Sequence, residues 1–158
     1  MNQFMQTRWP WIEGSHGLRT LIMDTLNDAD LAFNPGGQNM TLGELCRYSG
    51  EIEYAYVQSL KTFSQDWSYH NMETGLDGSV AQLKAWYQAL DDEMKTTVAA
   101  FSDEDLKKEV DRGGNSKMPV ELQLDAYLQA LFIFLGKATI YLKAMNKPLP
   151  NAVQEYIG

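Results

Sequence analysis

Few side chains in this sequence could perform acid–base, nucleophilic or metal chemistry, and their spacing does not favour it. The two histidines, His16 and His70, lie far apart, and neither has a carboxylate or cysteine at the spacing of a local metal site. Glu51 and Glu53 are two positions apart, so on a helix they point away from each other and cannot share a substrate. Each histidine is therefore expected to be exposed or hydrogen-bonded locally, and no catalytic residue is predicted.

The other acidic runs have simple structural interpretations. Asp91, Asp92 and Glu93 form a run that is typical of a solvated helix face. Asp103–Asp105 is expected in the first turn of a helix, where the helix dipole favours negative charge. The glycine pair at 113–114 lacks the Lys and Ser or Thr of a phosphate-binding loop and predicts a turn.

Cys46 and Lys137 each have a chemical interpretation and a structural one. Cys46 is the only cysteine, so no intrachain disulfide forms, and its place on an apolar stripe with Leu42 and Leu45 favours a core position over a nucleophile. Lys137 follows Gly136 in an otherwise apolar segment. It could bind an anion or pair with a carboxylate, but the sequence favours a packed stem with its ammonium group in water.

Composition limits the classes of protein that this chain can be. With 158 residues, residues 1–158 are expected to form a single domain. The formal net charge of -8 excludes a protein that binds nucleic-acid phosphates through clustered basic residues. No apolar run approaches the ~20 residues that a membrane helix needs, and residues 1–17 do not resemble a signal peptide. A cytoplasmic protein without nucleic-acid or membrane partners is expected.

Apolar residues recur at helical spacing in four segments that turns separate. The first is predicted over His16–Asn27 with Ser15 as its N-cap, and the second begins after Thr41, with Glu44 completing a capping box. The third opens with Ser79 and Gln82. A short helix is expected from about Ser102 to Val110. The pattern predicts an all-α, up-and-down four-helix bundle with that short extra helix and a C-terminal extension at residues 153–157.

The fourth segment, which starts near Pro119, is apolar on all sides. Leu124, Leu128, Leu131 and further residues form one face, yet 132–134 (Phe-Ile-Phe) cover the others. A helix that is apolar all round must be buried all round, which a small bundle does not achieve within one chain. A homodimer is therefore predicted, with a different protein partner on the same surface as the alternative.

Several local motifs recur in the order found in one family. They are Asp30–Gly37 (DLAFNPGG), Thr41–Tyr48 (TLGELCRY), Gly136-Lys137, Tyr141–Lys143 (YLK), Pro148 and Pro150. Together they resemble the linker, the second-helix opening and the last helix of the DinB-like, or YfiT-like, four-helix-bundle family. The resemblance implies a DinB-like bundle and, in typical members, a metal held by three histidines.

The resemblance places the three histidine positions at Tyr48, Ala130 and Phe134. Alanine and phenylalanine have no donor atom, and a neutral tyrosine is a poor ligand for zinc or nickel. Because a catalytic divalent site normally needs three protein ligands, no metal and no other cofactor is predicted. This chain is thus expected to be a divergent form with a degenerate metal site.

The predicted function is binding rather than metal-dependent catalysis. We expect a dimeric protein that holds a small apolar ligand in a vestigial pocket formed by Tyr48, Tyr127, Ala130, Phe134 and Lys137. If Phe134 fills this pocket, a purely structural bundle remains. The alternative is a metal-dependent or thiol-linked transferase or hydrolase-like enzyme that uses other ligands, so whether the chain is an enzyme stays open.

Overall fold

The structure is a computed structural model that describes residues 1–157, and it is dominated by helices. Four long helices form the bundle and two short ones flank it: α1 (Gln3–Thr7), α2 (Trp9–Asp24), α3 (Leu42–Thr62), α4 (Val80–Ala100), α5 (Val120–Ala144) and α6 (Asn151–Tyr156). The predicted all-α fold is confirmed. Within residues 1–157, no helix has the length and hydropathy needed to cross a membrane.

Helix starts follow the predicted caps in two cases and depart from them in one. The Thr41 hydroxyl accepts a hydrogen bond from Glu44 N, and the Glu44 carboxylate accepts one from Thr41 N, which closes the predicted capping box of α3. Ser79 caps α4 by accepting from Gln82 N. By contrast, α2 begins seven residues before the predicted His16, because Pro10 suits the first turn and Ser15 bonds back to Trp11 O inside the helix.

The short helix predicted near Ser102 is only one turn long. Ser102 does cap this turn, since its hydroxyl accepts from Asp105 N, but the 3-10 turn ends at Lys107. Beyond it, β1 (Glu109–Asp111) pairs antiparallel with β2 (Lys117–Pro119), and glycines at positive φ shape the connecting turn. Val110, in the middle of β1, is fully buried.

The four long helices pack as a ring in the order α2, α5, α3, α4. Two glycines allow α3 to approach its neighbours closely. A Cβ atom at Gly43 would meet the backbone oxygen of Asp77 at 1.8 Å, and one at Gly50 would meet the ring of Trp86 at 2.4 Å. Gly43 thus allows α3 to contact the segment before α4, and Gly50 allows it to contact α4 itself.

Two apolar clusters fill the two halves of the bundle. One half contains Leu18, Cys46 and Leu135, and the other contains Ile12, Leu60 and Leu124. On α2 and α3 the buried residues between these clusters are polar, among them His16, Arg19, Ser49 and Glu53. The core is therefore divided by buried polar side chains near the middle of the bundle.

Candidate functional site

A cavity of about 210 Å³ lies between α3 and α5. Ten residues line it: Leu45, Tyr48, Ser49, Ile52, Tyr127, Ala130, Leu131, Ile133, Phe134 and Lys137. All five residues predicted to form the vestigial pocket are therefore brought together in one place. That they bind a ligand stays a prediction.

The cavity stays open because the large side chains around it line its walls and do not fill it. Phe134 is buried and packs into one apolar half of the core instead of crossing the space. Ala130, one turn before Phe134 on α5, is small and lines the cavity together with Ser49 and Ile52 of α3. Tyr48 is 48% exposed and Ile133 59% exposed, so both stand at the mouth. The cavity is mainly apolar and reachable from solvent.

The cavity does not suit the metal that the family resemblance implies. Tyr48, Ala130 and Phe134 do converge on it, which agrees with their assignment to the three histidine positions. However, no histidine, cysteine or carboxylate lines the cavity. Divalent transition metals in proteins are held by such groups, so the residues present do not fit a metal here.

A second cavity of about 240 Å³ adjoins the first along α5. It shares Leu45 and Lys137 with the first cavity and is otherwise lined by Pro35, Gln38, Asn39, Met40, Ile140 and Tyr141. Lys137 thus stands where the two cavities meet, and it is the only charged residue in either lining.

Tyr127 connects the first cavity to the polar layer, which we define as His16, Arg19, Glu53, Asp91 and Tyr127. Its side chain lines the cavity, and its hydroxyl is hydrogen-bonded to Nε2 of His16 at 2.6 Å. The polar layer draws on all four long helices, because His16 and Arg19 lie on α2, Glu53 on α3, Asp91 on α4 and Tyr127 on α5.

The Arg19 guanidinium is the centre of the polar layer. Its side chain is 1% exposed, and Nη1 lies 2.5 Å from Oε2 of Glu53. Nη2 forms an ion pair with Oδ1 of Asp91, and the same oxygen lies 3.1 Å from Nδ1 of His16. The guanidinium also lies over the ring of Tyr87, 4.1 Å from its centroid. Arg19 therefore has a carboxylate partner on each of two helices and an aromatic partner on α4.

Burial and the neighbouring charges together determine the pKa of each acidic or basic group in this layer. Burial lowers the pKa of His16 to about 4 and, with help from the Glu53 carboxylate, raises the pKa of Asp91 to about 8. Burial also opposes ionisation of Glu53, but the Arg19 guanidinium and His16 outweigh it and lower the pKa of Glu53. Burial thus disfavours a charge on His16 and on Asp91, whereas the Arg19–Glu53 ion pair is favoured.

The layer also contains donors of the kind that hold a divalent cation. One ligand atom each from His16, Glu53 and Asp91 lie within 4.8 Å of one another, and Oε1 of Glu53 has no hydrogen-bond donor in the described part of the chain. The Arg19 guanidinium, however, already contacts both carboxylates. A divalent ion would add two positive charges beside a buried cation, so the layer fits an internal guanidinium better than a metal.

Two sequence-based expectations about this layer are wrong. His16 is buried among carboxylates from other helices instead of being exposed or locally bonded, and Asp91 is largely buried instead of solvated. The early start of α2 explains the first error, because it places His16 inside a helix and not at its end. A usable signal was present: His16 and Arg19 fall between Ile12 and Ile22 on one buried stripe, where polar residues need partners.

The remaining candidates behave as the sequence suggested. His70 is half-exposed and pairs with Glu51, 2.7 Å away, while Glu53 points into the core. Cys46 is fully buried, and burial raises the pKa of its thiol to about 12. A thiol with so high a pKa is a poor nucleophile at neutral pH, which weighs against thiol-linked catalysis.

Comparison with known proteins identifies the fold. The chain is similar to the crystal structure of a DinB-like protein, YjoA from Bacillus subtilis, with a TM-score of 0.68 and 14% sequence identity. The match covers 85% of this chain and 90% of the other. No protein-family model and no curated protein matches the sequence. The predicted resemblance is confirmed at the level of fold: this chain has a helical bundle similar to that of a DinB-like protein.

Proposed function

We propose that this protein binds a small, mainly apolar molecule in the cavity between α3 and α5, and that it does so without a metal. The observation that carries the proposal is the cavity itself. The family resemblance assigns the three histidine positions to Tyr48, Ala130 and Phe134, and these residues line a space of about 210 Å³. An apolar cavity with few polar groups is the usual form of a site for a small ligand.

The volume is sufficient for a ligand of useful affinity. An engineered apolar cavity of about 150 Å³ in another protein stays dry and binds benzene, so a larger, open one can admit a short chain. If about six methylene groups leave water at ~0.8 kcal/mol each, binding gains about 5 kcal/mol. That free energy corresponds to a dissociation constant on the order of 0.1–1 mM.

The same geometry disfavours hydrolytic or transfer chemistry in the cavity. Its polar groups are the Tyr48, Ser49 and Tyr127 hydroxyls and the Lys137 ammonium. The Tyr127 hydroxyl is already bonded to His16, and burial raises the pKa of Tyr127 well above 10. General acid–base catalysis works best with a group whose pKa is near the operating pH, and Tyr127 does not meet that condition.

Titration with 1-octanol tests the proposal, with isothermal calorimetry or ligand-detected NMR as the readout. We expect saturable binding by the unmodified protein. Ala130→Phe should abolish it, because the new ring would occupy the cavity. Ala144→Phe is the matched control: it adds the same bulk at an exposed position of α5 outside the cavity and should leave binding intact. Absence of binding by the unmodified protein, or equal binding by both variants, would refute the proposal.

We also propose that two copies associate through the outward face of α5. Leu122, Ile133 and Ile140 are 46%, 59% and 61% exposed, and their spacing of eleven and seven residues places them on one side of the helix. Exposed apolar stripes of this kind are typical of interaction surfaces. A second copy suits the face because it would cover the apolar side chains that one bundle leaves exposed.

Size-exclusion chromatography with light scattering tests the association. We expect the unmodified protein to have the mass of a dimer and the double variant Leu122→Glu, Ile133→Glu to have the mass of a monomer, because two buried carboxylates per copy would face each other. Lys61→Glu, an exposed charge change on α3, is the control and should remain dimeric. If the unmodified protein is a monomer, self-association is contradicted. A different protein would then be the partner expected to bind this face.

A further inference from the structure

Lys137 is distinguished from the other lysines by the lack of a partner. Seven of them form ion pairs with carboxylates: Lys61, Lys84, Lys95, Lys107, Lys108, Lys117 and Lys147. Lys143 is also engaged. Within residues 1–157, Lys137 alone has neither an ion pair nor a hydrogen bond. Lys137 is exposed, so its ammonium group is accessible to an anion from solvent.

The position of Lys137 suggests why its ammonium group has no carboxylate partner within the chain. It lies at the junction of the two cavities, where Ile133 and Ile140 flank it on α5. No Asp or Glu lines either cavity. An anion placed there would therefore meet one positive charge and no negative side chain from the walls, while its apolar part would meet the side chains of the cavity.

We infer that the cavity takes an aliphatic monocarboxylate, with its chain between α3 and α5 and its carboxylate paired with Lys137. This inference rests on the proposed function and names the class of its ligand. A carboxylate suits the site better than a phosphate ester, because phosphate groups carry more charge and are normally bound by several donors or by the forked donors of arginine. The linings contain one lysine and no arginine.

Paired titrations with octanoate and 1-octanol test the inference, since the two probes share a chain and differ in the head group. We expect the unmodified protein to bind octanoate about fivefold more tightly than 1-octanol, in line with a partly exposed ion pair. Lys137→Gln should remove this preference, so that octanoate and 1-octanol bind the variant about equally tightly. Lys84→Gln, which removes the same charge from an exposed ion pair on α4, should keep the preference.

Added salt provides a second readout, because screening weakens an exposed ion pair but not apolar burial. We expect the preference for octanoate to shrink as sodium chloride is raised, with 1-octanol unaffected or slightly tighter. If both probes bind the unmodified protein equally, the inference fails while the apolar site stands. If Lys84→Gln loses the preference as fully as Lys137→Gln, overall charge is responsible and the inference also fails. If neither probe binds, the proposed function fails with it.

Discussion

Replacing Arg19 with methionine should show that the ion pairs of the polar layer contribute more to stability than an ordinary surface ion pair does. Methionine keeps an unbranched apolar stem over Tyr87 but removes the guanidinium that contacts Glu53 at 2.5 Å and pairs with Asp91. Removing one partner of a buried ion pair typically costs about 3–5 kcal/mol, because the other charge is left without compensation. Loss of the cation–π contact with Tyr87 adds to that cost. Since the free energy of unfolding of a domain is typically about 5–15 kcal/mol, this loss is a large share of the total stability.

Urea unfolding at pH 7, followed by circular dichroism, measures this cost. Arg8→Met is the control, because the Arg8–Asp125 ion pair has a similar N–O distance of 2.8 Å but the Arg8 side chain is 46% exposed. Exposed pairs contribute about 0–1 kcal/mol, so the control should change stability little. Adding Glu53→Gln to Arg19→Met should recover part of the loss, because the uncompensated carboxylate becomes a neutral amide of similar shape. Equal costs for the Arg19 and Arg8 variants would refute the buried ion pair.

The remaining predictions concern pH, metal, the thiol and close packing. Asp91 holds a proton in the folded state up to a pKa of about 8 but loses it near 3.8 when unfolded, so stability should fall as pH rises through that range. His16 has a folded pKa of about 4 and an unfolded value of 6.5, so its contribution to stability rises with pH between 4 and 6.5 and offsets the fall due to Asp91 there. A net fall of about 2 kcal/mol is thus expected from pH 6.5 to 8, and Asp91→Asn should remove it in urea titrations at each pH. Added Zn²⁺ should not raise the melting temperature of the unmodified protein, because Arg19 already supplies the positive charge between the carboxylates; a clear rise would show that the layer binds metal after all. Cys46 should resist iodoacetamide until urea unfolds the chain, and rapid labelling of the folded protein, followed by mass spectrometry, would revive a thiol-linked activity. Gly43→Ala should destabilise the protein by about 1–3 kcal/mol, because its Cβ would collide with the Asp77 carbonyl, whereas Gly14→Ala on α2, which meets nothing, should be neutral or stabilising in the same unfolding assay.

The polar layer also bears on how the bundle is specified. Two apolar halves filled by Leu, Ile and Val side chains could pack with the helices shifted along one another by a turn. Such a shift would separate Arg19 from Glu53 and Asp91 and leave charges buried without partners. Buried polar residues fix register in this way in coiled coils, and we expect the layer to act likewise here. Its cost in stability would then be offset by a single, well-defined arrangement of the helices that line the cavity.

Local patterns in the sequence were enough to predict the four long helices, although not the residue at which α2 begins. The capping box of Thr41 and Glu44, the Ser79 cap and the three- and four-residue spacing of apolar side chains are local features, so they could be read without knowing what packs against them. The family resemblance assigned Tyr48, Ala130 and Phe134 to one site, and these residues do line one cavity; that they bind a ligand stays a prediction.

The polar layer is set by tertiary structure alone. His16, Glu53 and Asp91 are far apart in sequence and each has an ordinary local interpretation, so no pattern within one helix marks them as a group. Only the ring order α2, α5, α3, α4 brings them around Arg19, and only burial there moves the pKa of His16 and Asp91 in opposite directions. The sequence determined which helices form and which faces are apolar, because those depend on neighbouring residues. The tertiary structure decided which polar side chains share a buried, low-dielectric space, because that depends on distance in three dimensions.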